Sequence, residues 1–352
     1  LTEALTLEAK SLLDKVTGQS KPFFLYMSHY AVHAPFGTDR RFYQKYADKG
    51  LSHKEAQYAA LLEGMDKSLG DLMDYVDEKG IADNTVIIFM SDNGGYTIGR
   101  HDKNYPLSEG KGSLKEGGIR EPMIVCYPHV AKPSTINDTP VIIEDFFPTL
   151  LEIAGVCDYR TPQHIDGISF LKQIKGHAGD KERALFFHYP NNWGERRQTI
   201  GAPQSAVVAG DWKLIHYYES GSACLYNLEN DISENDDLSA RYPDKAKELA
   251  KVLSDYLKSQ HATMPILKLT GRTVPYPDGG KRDGPYWDSA KRDCRQGGNH
   301  AIPGRKVPGT GEGIYQERAA WDRRSRCTDG RRCKNRKDGR YPLGGTLSGA
   351  VQ

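Results

Sequence analysis

The chain has 352 residues, with 38% hydrophobic and 27% charged content, enough for one large domain with an appendage or for two domains. No run of eighteen apolar residues occurs, so the sequence offers no candidate membrane span. Its net charge of +2 hides a split: residues 1–267 hold 29 Lys+Arg against 37 Asp+Glu (−8), and residues 268–352 hold 19 against 9 (+10), which marks a boundary.

In chain order, Leu5, Ala9, Leu12, Leu13 and Val16 recur at helical spacing and Gly18 ends the run, which predicts an amphipathic opening helix. Residues 23–27, Phe-Phe-Leu-Tyr-Met, read as a buried strand from their unbroken apolar character. His29 and His33 follow its end directly. Ser52 and Glu55 form a capping box ahead of Tyr58, Leu61, Leu62, Met65, Leu69, Leu72, Met73 and Val76, with Gly80 as the stop. Residues 85–90 are the next strand. A strand, a crossover helix and a strand predict a βαβ unit with parallel strands. That would set His33 and Asp92-Asn93 on one sheet edge, at the carboxyl ends where sites form in open α/β sheets.

Residues 123–127 read as a third strand, and residues 141–154 as a helix carrying Pro148 and stopped by Gly155. From about Ala184 the style changes to short β segments, LFFHYP, SAVVAG, WKLIHYY and LYNL, separated by turn signals. They predict a small antiparallel sheet, and a helix over residues 243–258 follows. Beyond Lys268 periodicity stops in a Gly-, Pro- and Arg-rich stretch that reads as a disordered basic tail. The domain expectation is therefore 1–180, 181–262 and a tail over 263–352. A solvated extension is the preferred reading of that tail over a polyanion-binding arm, and no nucleic-acid partner is expected. The six cysteines form no C-x-x-C pair and no zinc-type spacing. The first residue is Leu1 and no signal peptide is visible, which leaves targeting open.

The chemistry concentrates in residues 89–122. Asp92-Asn93-Gly94-Gly95 stands at a strand end, Lys111 lies between glycines, and Glu116-Gly117-Gly118 leads to Arg120. Two oxygen-bearing side chains near a lysine suit a hard cation beside an anion. Each motif alone has a plainer meaning: a turn, a solvated loop lysine, a strand entrance.

Taken together, PFFLYMSHYAVHAPF, VIIFMSDNGG, PLSEGKGSLKEGGIREP, DFFPTLLEIAG and SAVVAGDWKLIHYYE…LYNLENDISE stand in order at sensible distances. The chain resembles the sulfatase family, within the alkaline-phosphatase-like superfamily, over about residues 1–262. The resemblance implies an α/β fold, a partial sulfatase sandwich with a small C-terminal antiparallel-sheet subdomain. It implies that Asp92 and Asn93 are ligands of an active-site calcium, that Lys111 holds the sulfate, and that His33 protonates the leaving oxygen. Arg100, His101 and His188 stand where such enzymes contact the organic part of the substrate, a sulfated small molecule or sulfated polysaccharide. It further implies a secreted or periplasmic location.

One part of the family pattern is missing. Sulfatases use a formylglycine made from Cys or Ser in C/S-x-P-x-R, and no residue of this sequence stands in that motif. The paired acidic ligands expected on the first strand are also absent. The chain therefore resembles the C-terminal part of a sulfatase and is not expected to catalyse the reaction by itself. The competing readings are a phosphatase or phosphodiesterase of the same superfamily, and an inactive truncated pseudoenzyme.

Overall fold

Helix α1, Thr2–Thr17, packs on the longest helix, and between them they show how the N-terminal half is held. The computed structural model describes residues 1–19, 21–96, 104–191, 201–268 and 270–279. After the short helix α2 (Tyr43–Ala47) comes α3, His53–Glu78. Its start is the expected capping box: Ser52 Oγ accepts from Glu55 N, and Glu55 Oε2 accepts from Ser52 N at 3.1 Å. Its stop is Gly80, at φ +68°.

The buried face of α3 differs from the expected one. Ala56, Ala60, Gly64 and Ser68 are buried, while Leu62 and Met73 are 40% and 38% exposed. Neighbouring segments approach α3 across its small side chains. Ser68 Oγ lies 2.6 Å from Thr6 Oγ1 of α1, and the Asp39 carboxylate sits against Gly64. Tyr75 OH donates to the Lys10 carbonyl, 3.1 Å away.

Strand β1, Ile87–Met90, pairs antiparallel with β2, Met123–Cys126, and the two make a sheet of their own. The expected parallel βαβ unit is absent among the described residues, because its first strand does not form. Residues 23–27 belong to no ladder, and Phe24 and Tyr26 are 73% and 79% exposed. An unbroken apolar run can be a strand only where neighbours bond both its edges, and none does so among the described residues. Between β1 and β2 lies the one-turn helix α4, Glu116–Ile119.

A 3₁₀ turn, Ile143–Asp145, leads into α5, Phe146–Ile153. Pro148 therefore stands in the first turn, where its missing N–H costs nothing. Gly155 (φ +74°) ends the helix as expected. Asp145, 1% exposed, ties this region together: its carboxylate accepts from Ile142 N at 3.0 Å and Ile168 N at 2.8 Å, and pairs with Arg183 at 2.8 Å. Helix α6 is Leu171–Ile174.

The C-terminal sheet is antiparallel throughout, in the order β3 (Leu185–Tyr189), β4 (Gln204–Ala209), β5 (Trp212–Tyr217), β6 (Ser222–Asn227). Strand alternation gives it two buried faces. Val207, Leu214 and Leu225 meet Leu249, Leu253 and Leu257 of α7, Pro243–Ser259. Ala206, Ile215, Tyr217, Cys224 and Tyr226 on the opposite face meet Leu114, just before α4, and Ile119, its last residue. Folded structure also runs past the expected boundary at 263. Met264 and Val274 are buried in the α7 core, and Ile266 bridges Thr273. Their irregular spacing carries no periodic signal. Among the described residues no helix is long and apolar enough to cross a membrane.

Leu253 has no exposed surface, so Leu253→Ala is expected to cost about 2–5 kcal/mol in chemical denaturation, with a drop in the urea midpoint as the readout.

Candidate active site

Residues 92–95 leave the C-terminal end of β1 and run directly against residues 116–118. At the contact there is no room for a side chain: a Cβ on Gly94 would lie 1.7 Å from the Gly117 carbonyl oxygen. One on Gly117 would lie 2.3 Å from Ser108 O, and one on Gly118 would lie 2.2 Å from Ser113 O. Glycine is required at all three for this close backbone approach. Hydrogen bonds finish the joint, from Gly94 N to Gly118 O (3.1 Å), Gly117 N to Ser108 O (2.9 Å) and Lys111 N to Gly95 O (3.3 Å). The backbone that carries Lys111 is thus pinned to the turn that carries Asp92 and Asn93.

Asn104 makes the same connection from its side chain. Its Nδ2 donates to Gly95 O (3.0 Å) and Glu109 O (2.7 Å), and its Oδ1 accepts from Gly95 N (3.1 Å). The Asp92 carboxylate is exposed beside this joint. Asn93 Nδ2 donates to Gly94 O at 3.2 Å, so the oxygen end of its amide is the one that can face a cation.

Tyr58 of α3 draws the histidine segment to the same region. Its ring meets Phe36 edge-on at 5.7 Å, and its hydroxyl lies 3.1 Å from where a Gly95 Cβ would stand. His33 and the Asp92 turn therefore share one neighbourhood through Tyr58 and not through parallel strands. His33 is exposed, and its Nδ1 donates to Ala34 O at 2.6 Å. Burial lowers the pKa of His29, whose Nδ1 is buried without a hydrogen-bond partner.

Glu121, three residues beyond Gly118, is pushed up to about 7 by burial and then by the nearby Asp92 charge, against a hydrogen bond from Ser91. Burial, and then the Glu121 charge, also raises Tyr58.

A buried ion cluster underlies the joint. Lys213 Nζ, 0% exposed, lies 2.8 Å from Glu116 Oε1 and 3.0 Å from Glu234 Oε1. Glu116 N donates to Glu234 Oε2 at 2.7 Å. Burial pushes both carboxyls up. For Glu116 the Lys213 and Arg120 charges reverse that shift and hold it below 4.5, whereas Glu234 stays raised.

Arg100 and His101 lie outside the described residues. His188 stands on β3 with both ring nitrogens engaged: Nε2 donates to Thr263 O at 2.9 Å and Nδ1 accepts from Ser205 Oγ at 2.7 Å. That holds the end of the sheet together and occupies the atoms a substrate contact would need. Asn104, Glu121 and Lys213 are not among the expected site residues, and Tyr58 is expected only as part of the long helix. Only Lys213 left a signal, as a charge in the inward phase of an alternating strand.

Calcium takes six to eight oxygen ligands. Asp92 and Asn93 could supply at most part of such a shell, and among the described residues no group of three His, Cys, Asp or Glu side chains could hold a metal. These residues do not by themselves fit a complete calcium site.

Comparison with known proteins identifies relatives of the chain. The family model described as Sulfatase matches residues 1–156, and that described as N-sulphoglucosamine sulphohydrolase, C-terminal, matches residues 110–263. A sulfatase of Formosa agariphila is 33% identical over 303 residues, covering 79% of this chain and 54% of that protein. The N-acetylgalactosamine-6-sulfatase of Canis lupus familiaris is 26% identical over 298 residues, covering 78% and 56%. Among solved structures, Ps i-CgsB in complex with k-i-k-neocarrahexaose superposes with a TM-score of 0.66 at 28% identity, covering 77% of this chain and 58% of the other. The chain thus spans about half the length of the curated relatives it matches.

Two outcomes are expected. Gly94→Ala should destabilise by more than about 3 kcal/mol, at the upper end of overpacking costs, because the obstacle is backbone; chemical denaturation reads it. Glu116 has a folded pKa below its ordinary 4.5, so the stability it contributes is complete above that value and is lost as pH falls through the folded value. Glu116→Gln should therefore flatten the fall in unfolding free energy below pH 4.5, measured by denaturation from pH 6 to pH 3.

Proposed function

The chain belongs to the sulfatase family, and we propose that it carries the anion-holding half of a site that hydrolyses a sulfate ester of a carbohydrate. The observation that carries this is the joint of residues 92–95 with residues 110–118, which fixes the Lys111 backbone to Gly95 O at 3.3 Å beside two oxygen donors. A sulfate ester is a compact anion, and a lysine ammonium pre-set against a rigid turn stabilises charge that grows as the ester bond breaks. The 28% identity to Ps i-CgsB, solved with a neocarrahexaose, and the N-acetylgalactosamine-6-sulfatase relative support a sulfated saccharide as substrate.

In this reading His33 gives the proton to the departing alcohol oxygen. Its Nδ1 hydrogen is committed to Ala34 O at 2.6 Å, so the proton it gives comes from Nε2, and the tautomer left behind is the one that carbonyl already holds. Asp92 and Asn93 contribute to a calcium shell whose other ligands they cannot supply, and calcium when bound would polarise the sulfate oxygens. No Cys or Ser here stands in C/S-x-P-x-R, so the nucleophilic step is assigned to no residue of this sequence. A secreted or periplasmic location belongs to the same proposal.

A binding test needs no turnover. A sulfated carrageenan oligosaccharide should bind the chain, its desulfated counterpart should not, and Lys111→Ala should weaken binding at least about tenfold, or about 1.4 kcal/mol, by titration calorimetry. Equal binding of the desulfated sugar would overturn the reading. An aryl phosphate binding more tightly than an aryl sulfate would favour the phosphatase alternative.

A further inference from the structure

The segment carrying Lys111 is gripped from two sides. On one side it meets residues 94–95, as described. On the other it meets residues 233–234, in the loop after β6. Ser108 Oγ donates to Ser233 O at 2.7 Å, and Ser233 Oγ donates back to Pro106 O. Glu234 Oε2 accepts from Glu116 N at 2.7 Å, and Lys213 Nζ joins Glu234 to Glu116. The two serine bonds and the one from Glu116 N each span more than one hundred residues of sequence.

The backbone shows the same grip. Glu109 and Glu234 are non-glycine residues in the left-handed region, at φ 59° and 52°, one within the segment and the other in the loop that grips it. A non-glycine side chain held there costs about 1–3 kcal/mol and persists where its surroundings over-determine it. Stability does not require this arrangement. The opposite face of the same sheet packs on α7 chiefly through apolar side chains, with Ser205 and His216 buried among them, and a buried ion cluster is often no better for stability than hydrophobic side chains of similar volume. What the cluster supplies is direction, because charge-assisted hydrogen bonds fix where Glu116 begins α4, five residues after Lys111.

We propose that Ser233, Glu234 and Lys213 are positioning residues for the anion site: the C-terminal subdomain is the back plate that sets Lys111 against the Asp92-Asn93 turn. This rests on the reading of Lys111 as the sulfate-holding group and adds that its placement is determined from residues 213–234.

The full chain, Ser233→Ala and Glu234→Gln are to be compared by residue-resolved amide hydrogen exchange. Acetylation of the Lys111 amine against increasing inorganic sulfate is the second readout. Ser233→Ala removes one hydrogen bond and should shift the thermal midpoint by less than about 4 °C. Amide exchange at Gly94 and Lys111 should rise at least about tenfold in both variants, with the amides of α3 and α7 unchanged. The sulfate concentration that half-protects Lys111 should rise about fivefold. If exchange at Gly94 and Lys111 is unchanged in Ser233→Ala, or rises equally across the chain in both variants, the residues are structural and the proposal is overturned. If sulfate gives no protection in the unsubstituted chain, the sulfate reading of Lys111 fails instead, and the exchange comparison still decides whether the clamp sets the segment.

Discussion

Gly94 meets Gly117 backbone to backbone, at a separation that admits no Cβ on either turn. Everything else about the site follows from that contact. Because the join is made by main chain, it consumes no functional side chain, so Asp92 and Lys111 can meet a ligand while their backbones are fixed. Main-chain contacts also have few ways to relax, as a flexible side chain would. A joint of this kind holds the backbones of Lys111 and of the Asp92-Asn93 turn at one separation, and fixed backbones favour the preorganisation under which charges stabilise a reacting anion.

The C-terminal sheet gives the joint its footing. Its two faces do different work from one alternating pattern. Toward α7, Val207, Leu214 and Leu225 bury apolar surface, the main source of stability. Toward α4, Ile215 and Tyr226 flank a lysine with no exposed surface and two buried carboxylates. Desolvating three charges is expensive, and their attraction repays it only with good geometry and further hydrogen bonds. The cluster has such further bonds: Glu234 Oε2 also accepts from Glu116 N, and Glu116 Oε2 accepts from Arg120 Nη1 at 3.4 Å. Burial leaves the pKa of Glu234 raised, while the Lys213 and Arg120 charges hold that of Glu116 down against the same burial.

Regular periodicity made much of this legible in the sequence. The Ser52–Glu55 capping box, the Gly80 and Gly155 stops, the four strands β3–β6 and α7 all stand where spacing and turn residues put them. The failures have physical causes. Residues 23–27 look like a strand because they are apolar, but a strand exists only with a bonded neighbour, which composition cannot report. On α3 the large apolar residues drew attention, whereas close packing selected Ala60, Gly64 and Ser68. Residues 264–276 fold onto α7 through a few unevenly spaced side chains, below the reach of any period. Asn104 was invisible because its role lies in three hydrogen bonds to backbone groups at Gly95 and Glu109, and one asparagine in a polar loop looks like any other.

The site is also asymmetric. The parts proposed to bind and position are Lys111, Asn104, the glycine joint and the Lys213 cluster. Under the proposed reading Asp92 and Asn93 are the cation ligands, and no Cys or Ser stands in C/S-x-P-x-R. The positioning half stands on a buried sheet and a long capped helix, and its parts come from sequence segments more than one hundred residues apart. Under the proposed reading such a half-site would hold an anion before any bond is made to it, and that binding would rest on the contact between Gly94 and Gly117, where main chain meets main chain.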